Sequence, residues 1–123
     1  MAQLDQSLKE AMNISGAIGV ALVDFDSGMM LGSAGGGPEL HLEVAAAGNT
    51  EVVRAKMATM QQLGLKDNIE DILITLGGQY HLIRLVNSNK GTGLFFYLAL
   101  AKSQANLAMA RRQLGEIEEE LAL

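Results

Sequence analysis

The chain has 123 residues, 49% of them apolar but only 4% aromatic, with a formal net charge of −5 and no cysteine. That length fits one domain, residues 1–123, around an aliphatic core in which Met does much of the filling. The acidic balance excludes nucleic acid and anionic membranes as main partners, and the missing cysteines exclude disulfides, a thiolate catalyst and a thiolate zinc site.

Residues Ala2 to Asn13 place Leu4, Leu8, Ala11 and Met12 at i, i+4, i+7 and i+8, one apolar stripe of a short amphipathic helix. Ser15-Gly16 turns the chain out of it. Ala17 to Phe25 is apolar and β-branched, which predicts a buried strand. Asp26-Ser27-Gly28 is a turn signal, and Met29 to Ser33 completes a hairpin. Ala34 to Pro38, with three consecutive glycines, reads as a loop, and Pro38-Glu39 as a helix start.

The spacing predicts one long helix over Glu39 to Gly64. Leu42, Ala46, Val53, Met57 and Met60 fall near one face, widened at its start by Leu40, Val44 and Ala47. Glu43, Glu51, Arg54 and Gln61 alternate with them, and Gly64 suits the residue that ends a helix. Gly48-Asn49-Thr50 lies mid-helix and weakens it by about 1 kcal/mol. A close helix–helix contact would account for the small residue.

Asp71 to Leu76 and Gln79 to Val86 are strands joined by Gly77-Gly78. Asn87-Ser88-Asn89-Lys90-Gly91 is a further turn, and Gly93 to Leu100 a third strand. The last helix, Ser103 to Leu121, carries Leu107, Ala110, Leu114, Ile117 and Leu121 on one stripe. The order α-β-β-α-β-β-β-α implies an α+β fold, a largely antiparallel five-stranded sheet with helices on its faces. Such a sheet has two edges, and the apolar strand holding Ile72 and Ile74 is a candidate for one of them.

The first fifteen residues are polar, with Asp5, Lys9 and Glu10, so they do not resemble a signal peptide. No apolar run approaches the ~20 residues of a membrane span. The expectation is a soluble cytoplasmic protein without membrane insertion.

The chemistry-bearing residues form no convincing catalytic or metal-binding set. Gly32 to Pro38 lacks the Lys and hydroxyl of a phosphate loop and follows a hairpin, not a βαβ strand. Lys90-Gly91-Thr92-Gly93 fits a turn between antiparallel strands. His41 and His81 have no further ligands at metal-binding spacing. The serines Ser15, Ser27, Ser33, Ser88 and Ser103 sit where turns and helix starts are expected, which capping explains. Asp24 and Asp26, and the cluster Asp67, Glu70 and Asp71, read as solvated turn charges before acid–base pairs. Glu118-Glu119-Glu120 opposes the dipole at the end of the last helix, which reads as a solvated tail. Of Arg111-Arg112, one can pair with Glu116 a helical turn away. A finger-like arginine would need an extendable loop, not a helix. No catalytic residue, cofactor or metal is assigned.

Three segments carry a family resemblance. Gly19-Val20-Ala21-Leu22-Val23-Asp24 leads to Asp26-Ser27-Gly28. The long Ala-rich helix leads to Ile69-Glu70-Asp71-Ile72-Leu73-Ile74. Leu98-Ala99-Leu100 is followed by Asn106-Leu107-Ala108-Met109-Ala110-Arg111-Arg112. In order and spacing these resemble the roadblock (dynein light chain) family, whose fold is related to profilin-like architectures. The resemblance implies a homodimer, or a heterodimer with a related chain, with sheets joined edge to edge and long helices side by side. It further implies a non-catalytic regulator or scaffold of a Ras-like small GTPase, as a GTPase activator or a sensor of nucleotide state. Val53, Met57, Met60, Ile72 and Ile74 are then the expected dimer interface, and Glu43, Glu51, Arg54 and Gln61 the expected partner contacts. The alternative is a profilin-like or PAS-like small-molecule sensor, which needs a cavity between sheet and helix.

Overall fold

The computed structural model describes residues 3–87 and 93–123. Its elements run α1 (Leu4–Met12), β1 (Ala17–Asp24), β2 (Met29–Gly35), α2 (Leu42–Leu63), β3 (Asp71–Thr75), β4 (Gln79–Leu85), β5 (Leu94–Ala101) and α3 (Leu107–Glu120). This is the order expected from the sequence, in an α+β fold. Lys90, Gly91 and Thr92, and with them most of the turn expected at 87–91, lie outside the described residues.

The five strands form one antiparallel sheet in the order β2-β1-β5-β4-β3. β5, whose sequence is Leu-Phe-Phe-Tyr-Leu-Ala-Leu-Ala, is central and buried along nearly all its length. Its unbroken apolar run follows from having a helical layer on each face. β2 and β3 are the edges, so Ile72 and Ile74 do lie on an edge strand.

Side-chain alternation divides the interior into two layers. Leu82, Phe96, Leu98 and Leu114 belong to the layer under α1 and α3. Val23, Ile83, Phe95 and Tyr97 belong to the layer under α2, so helices cover both faces. Two ion pairs fix α3 across the sheet. Arg84 on β4 meets Glu118 at 3.4 Å, and Arg111 forks onto both oxygens of Asp71 at 2.9 Å.

Several boundaries move, each for a local reason. β2 continues through Ala34 and Gly35, residues read as loop from sequence. Gly35 has φ +71°, and a Cβ there would lie 2.6 Å from the Ile18 carbonyl, so the close strand contact itself demands glycine. α2 begins at Leu42 and not at Pro38-Glu39. Gly37 and Leu40 exchange backbone hydrogen bonds of 3.2 and 3.0 Å, and that tight turn occupies the residues expected to open the helix.

α3 begins at Leu107 and not at Ser103, because Asn106 caps it. The Asn106 side-chain oxygen accepts the Met109 N–H at 3.1 Å. Gly64 ends α2 in the left-handed region, as expected. Ser33 sits within β2 and caps nothing. Glu118, expected in a solvated tail, is buried, because it faces Arg84 across the α3 layer.

Candidate functional site

α2 is long but only thinly anchored. Of its residues, Leu42, Ala46, Thr50 and Val53 are buried, at i, i+4, i+8 and i+11. The helix packs chiefly over β1 and β2. The α2 side of β3 and of the outer part of β4 is therefore incompletely covered. Ile72, Ile74, Gln79 and His81 are half-buried there, while Ile83 and Tyr97 on the same face are fully buried.

A second apolar stripe runs along α2, apart from the buried one. Ala45, Gly48, Val52 and Leu63 recur at i, i+3, i+7 and i+18, with Lys56 and Thr59 interrupting the apolar run between Val52 and Leu63. Val52 is 37% exposed and Leu63 65%. A Cβ added to Gly48 meets nothing within 4 Å. No close contact within the described residues of the chain accounts for this glycine.

The residues expected at a dimer interface divide into three groups. Val53 is wholly buried in its own chain and holds α2 to its own sheet. Its side chain offers no surface to a second copy. Met57 and Met60 are half-buried and line an open groove of about 330 Å³ with Gln61, Leu65, Ile69 and Leu85. Ile72 and Ile74 lie on the free edge strand, on the α2 side. The residues expected to meet a partner are all exposed: Glu43, Glu51, Arg54 and Gln61. Glu43, Arg54 and Gln61 fall near one flank of α2, at i, i+11 and i+18.

His81, which the sequence leaves as a structural histidine without metal partners, forms with Gln79 the polar part of the uncovered half-sheet. Its Nε2 lies 2.7 Å from Gln79 Oε1, an atom that can only accept. Nε2 therefore carries the proton, and Nδ1 accepts from the Tyr97 hydroxyl at 3.2 Å. The two rings meet edge to face, with centroids 5.4 Å apart. Burial lowers the His81 pKa from its ordinary value and raises that of Tyr97 to about 12, so both groups are neutral near pH 7.

The remaining polar residues are engaged in structure. Asp24 accepts the Asp26 N–H at 2.9 Å, which makes the first hairpin an Asx turn. Arg112 pairs with Glu116 at 3.5 Å, a helical turn away, as the spacing suggested. Arg111 is occupied by Asp71, whose hydrogen bonds and charge raise the guanidinium pKa further. His41 sits at the N-cap of α2 without a capping bond from its side chain. Among the described residues no three His, Asp or Glu side chains are placed to share a metal ion. No described helix is long and apolar enough to cross a membrane. The space between α2 and the sheet is filled by Val23, Ile83, Phe95 and Tyr97.

No protein-family profile matches the chain, and no curated protein matches it in sequence. Its fold has clear counterparts among solved structures. A Roadblock/LC7 domain from Streptomyces avermitilis is similar at 12% identity, with 96% of this chain and 93% of that one covered and a TM-score of 0.80. MglB of Myxococcus xanthus is similar at 18% identity over 93% of this chain and 77% of that one, with a TM-score of 0.74. The gliding protein MglB of Thermus thermophilus is similar at 19% identity over 94% and 88%, with a TM-score of 0.70. The chain has the roadblock fold.

Proposed function

We propose that this chain is a non-catalytic, homodimeric regulator or scaffold of a Ras-like small GTPase. The observation that carries the reading is the pairing of a roadblock fold over nearly the whole chain with an α2 surface that its own sheet does not fill. A second copy, added at the free edge of β3, would extend the sheet and bring its α2 beside the first. The stripe at Ala45, Gly48, Val52 and Leu63 would then meet its equivalent, with Met57, Met60, Ile72 and Ile74 around it.

The flank of α2 with Glu43, Arg54 and Gln61, and Glu51 on the outward face next to it, stay exposed in that arrangement. They would read the nucleotide state of the GTPase by binding one form of its switch loops better than the other. The packed layer beneath α2 favours this reading over a small-molecule sensor, which would need that space empty. Cytoplasmic action and GTPase activation belong to the same proposal.

The test is a pull-down with a Ras-like GTPase loaded in turn with GDP and with a non-hydrolysable GTP analogue, alongside single-turnover hydrolysis. State-dependent capture is the expected result. Equal or absent capture, with an unchanged hydrolysis rate, overturns the regulatory reading.

A further inference from the structure

The sheet has a second free edge, at β2, which the proposed dimer leaves open. Exposed edge strands are commonly blunted by charged residues or proline. β2 reads Met-Met-Leu-Gly-Ser-Ala-Gly and has neither, its one irregularity being a register shift against β1 at Leu31, between Gly32 and Met30. Met29 and Leu31 are exposed on it, at 68% and 47%. Beside it, an open groove of about 550 Å³ is lined by Met30, Pro38, Leu40, Leu42 and Val44, with Glu43 at its rim. Val44 is 71% exposed. Glu43 has no ion-pair or hydrogen-bond partner among the described residues.

We infer that the outer edge of β2 and this groove take an extended, apolar segment of a partner protein that carries a Lys or Arg opposite Glu43. The unpaired backbone of an edge strand is satisfied by another strand, which supplies affinity through main-chain hydrogen bonds. The Met and Leu lining selects apolar side chains on one face of that strand. Glu43 selects a cation near it, since the groove has no Lys or Arg of its own. A second copy is a poor occupant, because it brings another Glu43 to the same seam in place of the cation that Glu43 lacks. This surface is separate from β3, does not depend on dimerisation there, and shares only Glu43 with the α2 flank proposed to meet the GTPase; a peptide probe tests it without that GTPase.

The probe is a fluorescein-labelled peptide, Lys-Ile-Thr-Val-Leu-Lys, compared with Glu-Ile-Thr-Val-Leu-Glu by fluorescence anisotropy on the full chain. The basic peptide is expected to bind and to slow amide exchange at residues 29–35. Glu43→Lys should weaken it by about threefold to fivefold and strengthen the acidic peptide. Leu31→Pro should abolish binding; thermal unfolding establishes that this variant folds, and the Glu43→Lys comparison stands even if it does not. No binding at about 1 mM, protection confined to β3 or α2, or equal affinity of both peptides for wild type and Glu43→Lys each overturns the inference. Light scattering that shows self-association through β2 overturns it as well.

Discussion

His81 shows how one side chain couples local hydrogen bonding to stability. Its imidazole is held neutral between Gln79 and Tyr97, and burial lowers its pKa below 6.5. The unfolded chain therefore takes up a proton near pH 6.5, while the folded chain resists until the pH is lower. This component of stability is complete above pH 6.5 and declines as pH falls through that value towards the lowered folded pKa. Chemical denaturation across this range should show the decline in wild type and lose that component in His81→Gln. Glu118 is the second case. Its carboxylate is buried against Arg84, so Glu118→Ala strands a mostly buried guanidinium. The expected loss is about 2 kcal/mol by urea unfolding. Val53 completes the set. It was expected at a subunit interface, yet it is wholly buried in its own chain. Val53→Ala should cost about 2 kcal/mol whatever the oligomeric state.

At the scale of elements, α2 carries two apolar stripes where its own sheet needs one. Gly48 lies in the exposed stripe with open space around its Cα. In an isolated chain Gly48→Ala should raise stability by about 1 kcal/mol, the ordinary helix-propensity gain. If a second α2 approaches there, the same substitution weakens the dimer at the concentrations where wild type associates. Thermal unfolding and sedimentation, run on one sample series, separate the two effects. α3 is set by its cap. Asn106→Ala should cost about 1 kcal/mol. Neither α2 nor α3 begins where Pro38-Glu39 and Ser103 suggested. Those residues are used in a Gly37–Leu40 backbone turn and in the bend before Asn106.

For the molecule as a whole, the decisive quantity is what covers the α2 side of β3 and β4. Ile74→Lys places a charge on a half-buried edge position without opening the interior. It should leave the fold intact and give a monomer by light scattering, where the proposed assembly makes wild type a dimer. A folded wild-type monomer at micromolar concentration would count against the proposed assembly.

Much of this protein is written in local pattern. The element order, the Gly64 helix end and the Arg112–Glu116 pair follow from periodicity and near-neighbour spacing, whereas the central place of β5 comes from its long-range pairing with β1. The former depend on residues within a few positions of each other, so one sequence suffices to read them. Other features depend on partners far apart in the chain. Glu118 meets Arg84 across 34 positions, and Arg111 meets Asp71 across 40. The half-covered sheet, the His81 site and the exposed second stripe of α2 exist only because α2 lies over β1 and β2. Apolar spacing places a residue on a helix face, but it does not say whether that face meets its own sheet, a second molecule or water. The tertiary structure decides that, because burial is a property of the packed whole.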